Sequence, residues 1–179
     1  MERRIVLLRG INLGAHNRVA MPALRELLER DGLRDVTTYV QSGNVVLTSD
    51  DPPDRLARRC ERLIADALDL HLDVVVRTRD ELAAVVVRNP LGDVADNPKR
   101  YQVSFLSDEP EPLLVHSLEA LVAGGEAFAA VGRELYAWHP DGVARSKLWN
   151  KLAGKGLGVT ATSRNWTTVT TLLAMADGD

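Results

Sequence analysis

Three short runs, Ile5-Val6-Leu7-Leu8, Val45-Val46-Leu47 and Val74-Val75-Val76, are apolar at every position. A strand with one wet face alternates apolar and polar residues, so unbroken runs call for cover on both faces. Helices supply one cover. The second half of the chain, or a partner subunit, is expected to supply the other.

The segments between the runs fix their connection. Pro22 opens a helix whose apolar stripe is Leu24, Leu27 and Leu28, and Gly32 ends it. Val36–Gln41 is β-branched and aromatic, Ser42-Gly43 marks a tight turn, and Asn44–Thr48 returns as a strand. Asp50-Asp51-Pro52-Pro53 starts a long helix with Leu56, Cys60, Leu63, Ile64 and Ala67 on one face, and Asp73–Arg77 closes the set. The order is β-α-β-β-α-β, the ferredoxin-like split unit, and it spans residues 1–79.

Residues 80–179 form a second subdomain. Thr78 and Glu81 make a capping box for a helix carrying Leu82, Val85 and Val86. A loop over 89–100 leads to a strand at Tyr101–Leu106, and a helix follows with Leu114, Leu118, Leu121 and Val122. Phe128–Val131 and Glu134–Trp138 flank Gly132-Arg133 as a hairpin, and helices are expected over Arg145–Leu152 and Asn165–Ala176. The outline is β-α-β-β-α. The fold class is therefore α+β, with two ferredoxin-like subdomains, the second incomplete or modified.

Composition excludes several functions. With 179 residues, 45% of them apolar, the chain can bury a sizeable core without metals or disulfides. Cys60 is the only cysteine, so neither an internal disulfide nor a cysteine-based zinc site is available. No apolar run approaches the ~20 residues of a membrane span, and the run Ile5–Leu8 is too short for a signal sequence. A cytoplasmic protein without cofactor or metal is expected, its oligomeric state left open. The histidines His16, His71, His116 and His139 lack metal-ligand spacing. Aromatic residues are 4% of the chain and none lies in the three apolar strands, which disfavours base stacking on an open sheet.

Charge is uneven. From Gly142 to Ala176 there are five cations and no acid, so the net charge of −3 resolves into +5 there and −8 elsewhere. A basic stretch on an acidic body points to a bound anion or to a solvated basic face.

Two segments carry polar chemistry. The first βα connection, Gly10–Ala20, is longer than the ~2–6 residues usual for such loops. It offers Asn12, His16, Asn17 and Arg18 beside Arg9, with Gln41, Ser42 and Asn44 in the following hairpin. These are ligand candidates; alternatively Asn12 and Asn17 hold the loop through turn hydrogen bonds. His16 is the one candidate acid or base. In the second half, Ser146, Lys147, Arg164, Asn165 and Thr167 are the candidates. Ser163 reads as an N-cap, which sets Arg164 against the positive end of a helix; a bound anion or an internal carboxylate would relieve that.

The same blocks carry a family resemblance. Leu7-Leu8-Arg9-Gly10-Ile11-Asn12-Leu13-Gly14, Asn17-Arg18-Val19 with Met21, and Tyr39-Val40-Gln41-Ser42-Gly43-Asn44-Val45-Val46 resemble the N-terminal signature of the domain of unknown function 1697 family. Arg145-Ser146-Lys147-Leu148 and Thr162-Ser163-Arg164-Asn165-Trp166-Thr167-Thr168-Val169 are similar to its C-terminal blocks. Ala15 stands where the family often has a second glycine, and His16 where a basic residue is common. The resemblance implies a small cytosolic bacterial protein of α+β fold and ferredoxin-like topology, and brings no established activity.

The function expected from the residues is binding of a phosphate-bearing or otherwise anionic small ligand such as a nucleotide. The alternatives are a nucleic-acid binder acting through phosphate contacts, an enzyme on a phosphate or acyl substrate, and a structural or interaction protein.

Overall fold

In the computed structural model, which describes residues Met1–Asp179, the first apolar run lies in β1 (Glu2–Leu8). It is followed by α1 (Met21–Arg30), β2 (Arg34–Tyr39), β3 (Asn44–Ser49), α2 (Pro53–Leu68) and β4 (Val74–Thr78). All pairings are antiparallel, in the order β2-β3-β1-β4. Ile5 lies opposite Val46 on β3 and Arg77 on β4.

Alternation sorts the side chains of the runs onto two faces. Val6, Leu8, Val45, Leu47, Val74 and Val76 form one core with Leu24 and Leu28 of α1 and with Leu56, Cys60 and Ile64 of α2. On the other face Ile5, Leu7, Val46 and Val75 are equally buried, as continuous apolar runs require. Each such side chain contributes roughly 1.5–3 kcal/mol by leaving water. Arg77 shares that face at 1% exposure, and its Nη1 donates to the Val76 carbonyl at 3.1 Å. Arg59 of α2 grips the C-terminal end of α1: its Nε reaches Asp31 at 2.5 Å while its Nη1 reaches Asp51 at 2.8 Å.

The chain divides into two compact units, Met1–Ala83 with Leu172–Asp179, and Ala84–Thr171. The division falls inside α3 (Arg79–Arg88) and again inside α6 (Trp166–Asp177). The capping box at the start of α3 forms as expected: Thr78 N–H donates to Glu81 at 2.8 Å and Glu81 N–H to Thr78 Oγ1 at 3.0 Å. Within the first unit Arg79 Nε also meets Asp177 Oδ1 at 2.6 Å.

The second unit contains β5 (Tyr101–Leu106), α4 (Pro112–Glu119), β6 (Ala127–Val131), β7 (Glu134–Trp138), α5 (Lys147–Ala153) and β8 (Ala161–Asn165). Its sheet order is β6-β7-β5-β8, again antiparallel throughout. Leu106, Leu118, Leu135, Ala137, Leu148, Leu152 and Ala161 make its core. Both units therefore follow one element order and one strand order.

The sequence outline lacked β8. Residues 161–165 pair with β5 from Gln102↔Asn165 to Leu106↔Ala161, so the sheet has its fourth strand and is not truncated. The reason lies in composition: Ala-Thr-Ser-Arg-Asn carries no apolar alternation, and its pairing is set by backbone bonds and by Ser104 Oγ meeting Ser163 Oγ at 2.7 Å. Arg164 is consequently a strand residue opposite Val103, not the first residue of a helix. The cap of α6 is Asn165, whose Oδ1 accepts the Thr168 N–H at 2.9 Å.

Candidate functional site

The long loop of the first unit is built around its asparagines. Asn12, at φ +53°, donates through Nδ2 to the Val19 carbonyl at 3.0 Å and accepts the Val19 N–H on Oδ1 at 2.9 Å. The same Nδ2 reaches the Gln41 carbonyl at 2.5 Å, which ties the loop to the β2–β3 turn. Asn17, also left-handed at φ +48°, donates to the Gly10 carbonyl at 3.2 Å. Asn44 is fully buried and donates to the Tyr39 carbonyl at 3.2 Å and to Ser42 Oγ at 3.0 Å. Asparagine suits these places because its short amide bonds nearby backbone and tolerates positive φ. Side-chain capacity that was a candidate for a ligand is thus engaged in shaping the loop.

Around this frame, His16, Arg18, Gln41 and Ser42 are exposed, and Arg9 is half-buried with Nη1 3.9 Å from Asp73. The His16 backbone closes the loop tip on the Leu13 carbonyl at 3.3 Å. The loop and the turn thus bring Arg9, Asn12, Asn17, Gln41, Ser42 and Asn44 into one bonded neighbourhood.

The second unit holds a pocket of about 460 Å³. It is formed by the segment after α4 (Leu121, Ala123, Gly124, Glu126) and the segment between β7 and α5 (Pro140–Gly142 and Ala144–Lys147). Ser146 lines it and also caps α5, its Oγ accepting the Trp149 N–H at 2.9 Å. Arg145 and Lys147, both exposed, flank the serine and bring two cations to the rim.

The anchor of this wall is a buried pair. His139 is fully buried, and its Nδ1 lies 2.8 Å from Glu126 Oε1; Glu126 Oε2 accepts the Ala123 N–H at 3.2 Å. The imidazole stands edge-on to Trp149, ring centres 5.8 Å apart. Burial works to raise the Glu126 pKa, but hydrogen bonds from Ser146, His139 and the Ala123 amide outweigh it and hold the carboxyl below its ordinary value. Serine and imidazole both turn to the carboxylate. The order His–Glu–Ser leaves the hydroxyl without the histidine contact that activates a nucleophile. The cluster makes a firm, ionised wall behind Arg145 and Lys147.

Neither His139 nor Glu126 was singled out from the sequence. The two are 13 residues apart, in segments that read as loops, and their one signal was an acid beside the apolar run Ala127–Val131.

The other C-terminal candidates lie away from the lining of this pocket. Arg164 Nη1 donates to Thr162 Oγ1 at 2.7 Å and to the Ser163 carbonyl at 2.8 Å. Burial pushes its pKa down to about 10. Asn165 is used as a cap, and the Thr167 carbonyl accepts the hydroxyls of Thr170 and Thr171 in the first turn of α6. Trp166 stacks on Tyr101 at 4.7 Å. No three His, Cys, Asp or Glu side chains gather as a metal-binding group, and no helix is long and apolar enough to cross a membrane.

Two four-stranded antiparallel sheets with six helices define an α+β protein, here with a polar loop in one unit and a cation-rimmed pocket in the other. The chain belongs to the family described as protein of unknown function (DUF1697), whose model matches residues 1–136. Among solved structures it is similar to the conserved bacterial protein SP0830 from Streptococcus pneumoniae, with a TM-score of 0.77 at 22% identity over 98% of each chain. That likeness is one of fold. No curated protein matches the sequence.

Proposed function

We propose that the protein binds a phosphate-bearing or otherwise anionic small ligand in the pocket of its second unit. The observation that carries this is the convergence of Arg145, Ser146 and Lys147, from the acid-free stretch of the chain, on one cavity of small-molecule size. Guanidinium and ammonium groups bind anionic oxygens by charge-assisted hydrogen bonds. The ionised Glu126 behind them is already occupied by His139 and the Ala123 amide, so it fixes the wall without cancelling the rim.

Among the residues put forward from the sequence, this assigns ligand contact to Ser146 and Lys147, with Arg145 added. Asn12, Asn17 and Asn44 take a scaffolding part. The ferredoxin-like reading of each unit is supported by the repeated strand order, and cytoplasmic residence by the lone buried Cys60.

The test is a thermal-shift series with phosphate, pyrophosphate and nucleotides on the wild type and on an Arg145→Ala/Lys147→Ala variant. A ligand at 100 times its Kd adds about 2.7 kcal/mol of stability, a shift of several degrees. A shift lost in the variant supports the assignment. An equal shift in both, or none with any anion, ends it. Retention of oligonucleotides with a steep salt dependence would instead favour nucleic-acid phosphates.

A further inference from the structure

Each sheet has two edge strands, and three of the four carry charge: Arg34 and Asp35 on β2, Arg77 on β4, and Arg164 on β8. On β2 the ladder also slips between Arg34 and Thr37, with Asp35 at φ +51°. Charges and bulges are the ordinary means of keeping an edge from pairing with another chain. Edge strand β6, Ala127-Phe128-Ala129-Ala130-Val131, has neither charge nor proline, and its register with β7 runs unbroken from Ala127↔Trp138 to Val131↔Glu134.

The direction of its free backbone groups follows from the ladder. Leu106 N–H donates to the Arg133 carbonyl at 2.9 Å, so residues 133, 135 and 137 of the hairpin turn toward β5. Glu134, Tyr136 and Trp138 then bond β6, through Val131, Ala129 and Ala127. This matches a two-residue hairpin turn with Gly132 at φ +57°. The N–H and C=O groups of Phe128 and Ala130 therefore face outward, and no other segment of the chain bonds them.

We propose that a second copy of this chain adds to β6, joining the two sheets antiparallel about a two-fold axis at Ala129. In that register Phe128 of each copy faces Ala130 of the other, and these are the residues with outward groups; two such pairs exchange four hydrogen bonds. The side chains complement in the same register. Phe128 meets Ala130, Val131 meets Ala127, and Ala129 meets itself, so every bulky residue falls opposite an alanine. One step beyond the strand, Arg133 of each copy comes within one position of Glu126 of the other, opposite charges at both ends. A two-fold axis requires such self-complementarity. The inference is independent of the ligand assigned above.

Sedimentation velocity on the full chain, from low to high micromolar concentration, tests it. The wild type is expected to shift from the mass of one chain to that of two. Ala130→Pro removes an outward N–H that β7 does not use, and should sediment as a monomer with an unaltered circular dichroism spectrum. Ala129→Glu and Ala129→Lys set like charges against each other on the axis and should each be monomeric; mixed in equal amounts they should recover the dimer. A wild type that remains monomeric overturns the proposal. So does a dimer that survives Ala130→Pro, or a Glu/Lys mixture that stays monomeric.

Discussion

Asn12 and Val19 pair in both directions, amide to carbonyl at 3.0 Å and backbone N–H to amide oxygen at 2.9 Å, as two facing strand residues would. One side chain thereby replaces a strand's worth of pairing, and Gly10–Ala20 keeps a fixed course at the end of β1. Replacing Asn12 with Ala removes three bonds, strands the Val19 N–H, and leaves φ +53° to a residue that dislikes it. The expected loss is about 1–3 kcal/mol. Amide exchange should rise in residues 10–20 while α2 stays protected; unchanged exchange at Val19 would contradict the pairing.

Gly43 and Gly10 separate two kinds of glycine. Both have positive φ, +75° and +71°. A Cβ on Gly43 would sit 2.7 Å from Leu8 Cβ and 2.9 Å from Ile11 Cδ1, whereas one on Gly10 meets nothing within 4 Å. Gly10→Ala should therefore cost only the backbone strain, roughly 1–2 kcal/mol. Gly43→Ala adds overpacking against the core and should cost on the order of 2–4 kcal/mol in all. Thermal melts of the two variants should rank in that order.

Glu126 gives stability a defined acid limb. Its carboxyl is held below its ordinary value in the folded chain, so on acidification the unfolded chain takes up the proton first. The stabilisation is complete above the unfolded pKa of about 4.5 and falls away as pH drops through the lower folded value. Glu126→Gln should flatten the stability-pH curve below about pH 5 relative to wild type. Identical acid limbs in the two proteins would contradict it.

Cys60 should be silent to thiol reagents in the native protein. It is fully buried on the core face of α2, and desolvation pushes its thiol up to about 12. Thiolate, not thiol, is the reactive form. At pH 8 a chromogenic disulfide should report almost no free thiol until denaturant is added, then one equivalent per chain. Rapid native labelling would mean that α2 opens easily.

The sequence disclosed most where periodicity was strong. The three apolar runs, the Leu56–Ile64 stripe and the Thr78–Glu81 box each announced their structure, because burial and capping act through neighbours a few residues apart. β8 escaped because an edge strand of small polar residues is specified by β5 across the sheet. The same limit applies to the site. Ser146 and Lys147 were visible as part of a basic stretch, but the pairing of Glu126 with His139 depends on the β6–β7 hairpin bringing together its two ends. Asn12, Asn17 and Asn44 were visible as polar residues in a loop, while their engagement with backbone depends on φ values that composition does not encode.

The membership of the first unit sets an order of events at the ribosome. That unit includes Leu172–Asp179, whose Asp177 takes the Arg79 side chain at the head of α3. All of the second unit is synthesised before those residues exist. A domain at the front of a chain ordinarily finishes folding while the rest is still being made. Here the strands of the first sheet can pair early, but their unit waits for the last turns of α6. Translation, not the folding barrier alone, decides when the N-terminal half reaches its final stability.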